Sequence, residues 1–299
     1  MPIDATVRMR DGRGLAYCEW GDAGGPAVLA FHGAPGSRVW WPDEDTTAAA
    51  GVRLVAADRP GYGRSDPLTG RPIVGWVDDV VDLTQALGIE RFGVVGWSGG
   101  APYAAAVAAR LPDRLTGVCV VSSGSLGYFD GVTEPDDEDE HIAELVERFG
   151  LDEATIRYAE ENREWAEGVS QNPMSLFAVG DIPAGDRWLF DGPPGSGVLP
   201  QLREGVRQGA IGVATDWALQ VTPWGFSLDE IEPAVHCWHG AQDPWVDLDD
   251  FKRVVAAFPQ STLTVWPDGG HFGIARHWGD VLGAALGGSD HANGEPPKS

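Results

Sequence analysis

The stretch Gly96-Trp97-Ser98-Gly99-Gly100 constrains this chain more than any other. An apolar run, Phe92-Gly-Val-Val95, leads into it, and the alanine-rich segment Ala101–Arg110 follows. A serine between glycines at a strand-to-helix junction has the pattern of a nucleophile elbow. The small neighbours let strand and helix approach closely while the turn lifts the Ser98 hydroxyl out of a sheet. The first N–H groups of the helix, with the positive end of its dipole, then face the place where an oxyanion would form.

A serine nucleophile needs a base and an acid to orient that base. Val235-His-Cys-Trp-His-Gly240 reads as a buried strand, and Asp243 follows in its loop. Thr262-Leu-Thr-Val-Trp266 reads as the next strand, and His271 follows in Asp268-Gly-Gly-His-Phe272. The chain order Ser98, Asp243, His271 is that of a strand-borne triad. Asp247, Asp249 and Asp250 compete with Asp243, but they stand where Val246–Phe258 turns helical, and acid at a helix start has its own electrostatic reason. His236 and His239 sit in a strand, and His277 lacks the Gly-Gly lead. His271 is therefore the candidate base.

The rest of the chain alternates. Residues 6–19 pattern as a hairpin about Asp11-Gly12, while Ala27–Phe31, Val52–Ala57 and Leu115–Val121 are short apolar runs of the kind central strands show. Val74–Leu87 spaces its apolar residues as a helix. Strands alternating with helices predict an α/β protein with a mostly parallel central sheet flanked by helices. The rhythm stops near Ser122 and resumes near Val235. Residues 1–124 and 228–286 thus form the expected core, 125–227 an inserted α-helical cap, and 287–299 a disordered tail poor in apolar residues.

With these residues on the page, the chain resembles the α/β-hydrolase superfamily. The motifs that carry the resemblance are Phe31-His32-Gly33-Ala34-Pro-Gly36, Asp58-Arg-Pro-Gly-Tyr-Gly-Arg-Ser-Asp66, Gly-Trp-Ser98-Gly-Gly, His239-Gly-Ala-Gln-Asp243 and Gly-Gly-His271-Phe. They run from Phe31 to Phe272 in family order. The resemblance implies the fold, the triad Ser98–His271–Asp243, and an oxyanion hole from the backbone N–H groups of Ala34 and Gly99. His32 is structural in that motif. It further implies a serine hydrolase of carboxylic esters or related acyl compounds, without metal or organic cofactor. A serine at position 98 disfavours the branches that place a carboxylate there. Carbon–carbon bond hydrolase, prolyl-aminopeptidase-like peptidase, thioesterase, lactonase or cyclase chemistry, and a non-hydrolytic ligand-binding role, all remain open on the same motifs.

Composition narrows the partners. The net charge of −24 repels nucleic acid and anionic membrane surfaces. No apolar stretch is long enough to span a bilayer. The start, Met1-Pro-Ile-Asp, lacks the organisation of a secretory signal, and Cys18, Cys119 and Cys237 all fall in predicted strands as reduced thiols. These features predict a cytoplasmic protein acting on a small acyl substrate, with oligomeric state open. The acidic run Glu134–Glu140 reads as a solvated approach to a cap helix. Arg38 reads as paired with acids rather than with substrate. Among 13 tryptophans, Trp97, Trp40-Trp41, Trp217, Trp224 and Trp245 are the candidates for a substrate wall, together with Phe177.

Overall fold

The computed structural model describes residues 2–39, 43–124, 135–177, 182–189 and 198–288. The eight strands are β1 (Ile3–Arg8), β2 (Gly14–Gly21), β3 (Ala27–Phe31), β4 (Arg53–Ala57), β5 (Phe92–Trp97), β6 (Leu115–Val121), β7 (Val235–Gly240) and β8 (Ser261–Trp266). They form one sheet in the order β1-β2-β4-β3-β5-β6-β7-β8. β2 runs antiparallel to β1 and β4, and every other pairing is parallel. The Asp11-Gly12 hairpin thus becomes the antiparallel edge of an otherwise parallel α/β sheet.

The central strands are buried on both faces, and their side chains divide by the two-residue period of a pleated strand. Leu29, Phe31 and Val94 enter one core, and Val28, Ala30 and Val95 the other. The first core is covered by α2 (Trp76–Ala86), α3 (Ala101–Arg110) and α9 (Leu248–Ala257). α1 (Glu44–Ala49) and α10 (Trp278–Ala285) cover the second, with the Trp278 indole N–H donating to Thr47 Oγ1 at 2.9 Å. α1 had no counterpart in the sequence pattern. It is six residues long and is started by Asp43, whose carboxylate accepts from the amides of Asp45 and Thr46.

Between β6 and β7 the described residues contain no strand. They form α4 (Asp137–Phe149), α5 (Leu151–Glu161), α6 (Arg163–Gln171), α7 (Leu199–Gly205) and α8 (Ile211–Gln220), with short 3₁₀ turns. α4, α5 and α8 share a small core of Ile142, Tyr158, Ala214 and Ala218, and Leu145 and Val146 pack against it. α4 opens with a reciprocal capping box between Asp136 and Asp139. Cys18, Cys119 and Cys237 are buried free thiols on β2, β6 and β7. Among the described residues no helix is long and apolar enough to cross a membrane. The expected tail falls almost wholly on 289–299, outside the described residues.

Candidate active site

Ser98 stands where β5 gives way to a 3₁₀ turn and then α3, with φ of +53°. A non-glycine residue in the left-handed region costs on the order of 1 kcal/mol or more and persists only where its surroundings hold it. Those surroundings require glycine. A Cβ on Gly96 would come within 2.6 Å of Ala101 Cα, and one on Gly100 within 2.2 Å of the Phe31 carbonyl oxygen. The elbow therefore owes its shape to β5, α3 and the end of β3 closing on one another without side chains between them.

His271 is carried by the loop after β8. Its Nδ1 lies 2.8 Å from Asp243 Oδ2, and both side chains are nearly inaccessible to solvent. Asp243 stands in the loop after β7, and its other oxygen accepts from the amides of Trp245 and Val246 at 3.0 and 3.1 Å. Burial opposes the charge of Asp243. Attraction to His271, its hydrogen bond and the Trp245 amide nevertheless hold the carboxyl below the usual carboxylate range. An ionised acceptor at Nδ1 keeps the proton there and leaves Nε2 as the basic nitrogen.

Ser98 and His271 line a single cavity of about 560 Å³ together with Ala34 and Gly99. Ala34 abuts Gly99 closely: a Cβ on Gly99 would lie 3.2 Å from Ala34 Cβ and 3.4 Å from Ala34 N. Trp97, Phe177 and Trp217 also reach this cavity, as does Trp245. Trp224 does not: it is 1% exposed and packs in the first core against Phe226, because its segment is tied to Val74 and α3. The Val74 amide donates to the Trp224 carbonyl at 3.0 Å, and Arg110 to the Gly225 carbonyl at 2.6 Å. Trp97 is 2% exposed and does more than wall the cavity, since its indole N–H donates to the His271 carbonyl at 2.9 Å. The Trp40-Trp41 pair lies outside the described residues.

The described part of the acidic run is a solvated approach to a helix, as expected: Asp136, Asp137, Glu138 and Glu140 are exposed, and Asp136 caps α4. Asp136, Glu138 and Asp139, at the start of α4, also line the cavity. Burial raises the Asp139 carboxyl above its ordinary value, against the Asp136 backbone amide, which stabilises the charge. Arg38 is buried and meets Asp4, Asp58 and Glu204, so its charge is spent inside the fold. His239 gives Nε2 to the Val246 carbonyl and stacks on Phe251. His236 and His277 also lie apart from the cavity lining. Among the described residues, no group of three or more His, Cys, Asp or Glu side chains is arranged to hold a metal ion.

One residue that no motif announced braces the His271 loop. Asp186, in the segment between α6 and α7, accepts from the Gly270 amide at 3.2 Å and the Phe272 amide at 3.0 Å, straddling His271. It is 1% exposed. Burial raises its carboxyl, while the two amides and the nearby imidazole pull it back down. A Cβ on Gly270 would meet Asp186 Oδ2 at 2.3 Å, so the loop admits this carboxylate only because position 270 is glycine.

A model of the alpha/beta hydrolase fold matches residues 26–277. A non-heme chloroperoxidase of Streptomyces lividans is 35% identical over 44% of this chain and 49% of its own. A putative carbamate hydrolase, RutD, of Caulobacter sp. (strain K31) is 27% identical over 83% of this chain and 86% of its own. The chain spans about half the length of the first curated relatives it matches. Among solved structures, the bromoperoxidase of Bacillus anthracis superposes with a TM-score of 0.69 at 21% identity, covering 95% of this chain and 99% of that one. That likeness is one of fold.

Proposed function

The chain belongs to the alpha/beta hydrolase fold family, and from that premise we propose that it is a serine hydrolase cleaving carboxylic esters or related acyl compounds through an acyl-enzyme. The observation that carries the reading is the 2.8 Å pair of His271 Nδ1 and Asp243 Oδ2, beside a serine held at positive φ in the same cavity. Ser98 Oγ attacks the acyl carbon as His271 Nε2 takes its proton. The oxyanion is held by the N–H groups of Ala34 and Gly99. His271 then protonates the leaving alcohol. Water, deprotonated by the same nitrogen, attacks the acyl-enzyme and releases the acid, returning the proton to Ser98.

Residues 125–227 act as a cap over this cavity, and Phe177 and Trp217 are the proposed contacts for the acyl or alcohol group. Both side chains are half-buried and reach the cavity. Three buried thiols suit a reducing, cytoplasmic setting.

A fluorophosphonate probe tests the assignment. Covalent labelling of the wild type that disappears in Ser98→Ala supports it, and a folded wild type that is not labelled overturns it. Ser98→Ala and His271→Ala should each lower kcat on p-nitrophenyl esters by about 10⁴-fold or more, with the double variant hardly worse than either single one.

A further inference from the structure

The motif Asp58-Arg59-Pro60 and the helix α8 meet in a buried network that the catalytic reading leaves unused. Arg59 and Asp216 are 1% and 2% exposed. The guanidinium addresses three acceptors. Through Nε and Nη2 it donates to Asp216 Oδ2 at 3.1 and 2.6 Å. Through Nη1 it donates to the His32 carbonyl, and through Nη2 to the Gly33 carbonyl at 3.1 Å. The Gly33 carbonyl takes a second bond from His32 Nδ1 at 2.7 Å, while His32 Nε2 lies 3.3 Å from the Arg59 amide. That pairing makes His32 an Nδ1–H tautomer, and burial beside Arg59 keeps it neutral.

The Gly33 carbonyl and the Ala34 N–H belong to one planar peptide and point in opposite directions. Anchoring the oxygen therefore aims the hydrogen. The carbonyl is held from behind by Arg59 and His32, and Ala34 faces the cavity beside Gly99. An isolated buried guanidinium would be costly, and its partner comes from the insertion. Asp216 lies on α8, and its oxygens also accept from Tyr62 Oη at 2.7 Å and Tyr103 Oη at 2.6 Å. α8 is seated tightly at this point, since a Cβ on Gly61 would lie 3.0 Å from Gly212 Cα.

We propose that Arg59 is a positioning residue that aims the Ala34 N–H at the oxyanion, and that Asp216 on α8 makes this alignment depend on the seating of the 125–227 insertion. The proposal rests on the reading of Ala34 as an oxyanion donor. Lysine at 59 keeps the charge but cannot reach two carbonyls and a carboxylate together. Arg59→Lys is expected to lower kcat ten- to a hundred-fold with KM within about three-fold, because the bond it misaligns strengthens only in the transition state.

The test measures kcat, KM, Tm and the inhibition constant of a trifluoromethyl ketone, whose Ser98 adduct places an oxyanion in the hole. In Arg59→Lys the inhibition constant should rise in proportion to the fall in kcat/KM. Tyr103→Phe removes one bond to Asp216 but none to the loop, so it should lower Tm and leave kcat unchanged. If Arg59→Lys does not fold, Arg59→Met/Tyr62→Phe/Tyr103→Phe/Asp216→Leu removes the network as a unit and strands no buried charge or hydroxyl. It should fold and show the same loss of kcat and of ketone affinity. Full kcat in Arg59→Lys or in the fourfold variant, or a fall in kcat with ketone affinity unchanged in either, overturns the proposal. Phosphonate labelling of the wild type separates this failure from that of the hydrolase reading, because it needs no Arg59 variant.

Discussion

The indole N–H of Trp97 donates to the carbonyl oxygen of His271 at 2.9 Å, and the two rings lie 5.3 Å apart. Trp97, immediately before Ser98, thus holds the backbone of His271, 174 positions along the chain. Trp97→Phe keeps an aromatic ring, though a smaller one, and removes the donor. We expect a stability loss of about 1 kcal/mol and a fall in kcat on the order of ten-fold. Melts and steady-state kinetics on one ester decide it, and unchanged kcat would make Trp97 a packing residue only.

Asp186 braces the same loop from the other side through the Gly270 and Phe272 amides. Asp186→Asn retains one acceptor and Asp186→Ala retains none. The rates should therefore fall in the order wild type, Asn, Ala, with KM moving little. The Ala variant leaves two buried amides unsatisfied, at about 1–3 kcal/mol each. Equal kcat in all three would disconnect this carboxylate from the placement of His271.

Trp217 and Trp224 differ in what their loss should do. Trp217 lines the cavity and meets Tyr158 edge-on at 5.7 Å, whereas Trp224 is sealed in the core beside Phe226. Trp224→Ala should cost about 3–5 kcal/mol and leave the ranking of a substrate panel unchanged. Trp217→Ala and Phe177→Ala should reorder that ranking with smaller losses of Tm. A reordered panel in Trp224→Ala would contradict the division.

Asp58 offers a pH test of the fold. Burial pushes its carboxyl up to about 6, against the pull of Arg38 and of the Arg38 and Arg64 amides. The folded state then holds this proton more tightly than the unfolded chain does. The stability tied to Asp58 is fully present below about pH 4 and is lost as pH rises from about 4 to 6. Denaturation at several pH values, for the wild type and Asp58→Asn, isolates the effect as a difference. The wild type should lose stability relative to the variant across that window. A gain there would mean that Arg38 dominates.

Much of the frame is determined locally and could be read in order. Apolar runs of five to seven residues mark β3 to β6, mixed runs of six mark β7 and β8, and glycines at 96 and 100 mark a turn that tolerates nothing larger. The triad candidates follow from the same signals, because each stands at the end of a strand whose limits are set by its own residues. α1 escaped because six residues carry too short a period to register. What only tertiary structure decided are the partners across the fold. Arg59 meets Asp216 over 157 positions and Asp186 meets Phe272 over 86. The packing of the insertion put Asp136, Glu138 and Trp217 along the cavity and Trp224 in the core. Turn chemistry and periodicity act over a few residues. The satisfaction of a buried carboxylate or guanidinium depends on which segments pack together, and that is settled only when the whole chain has closed on itself.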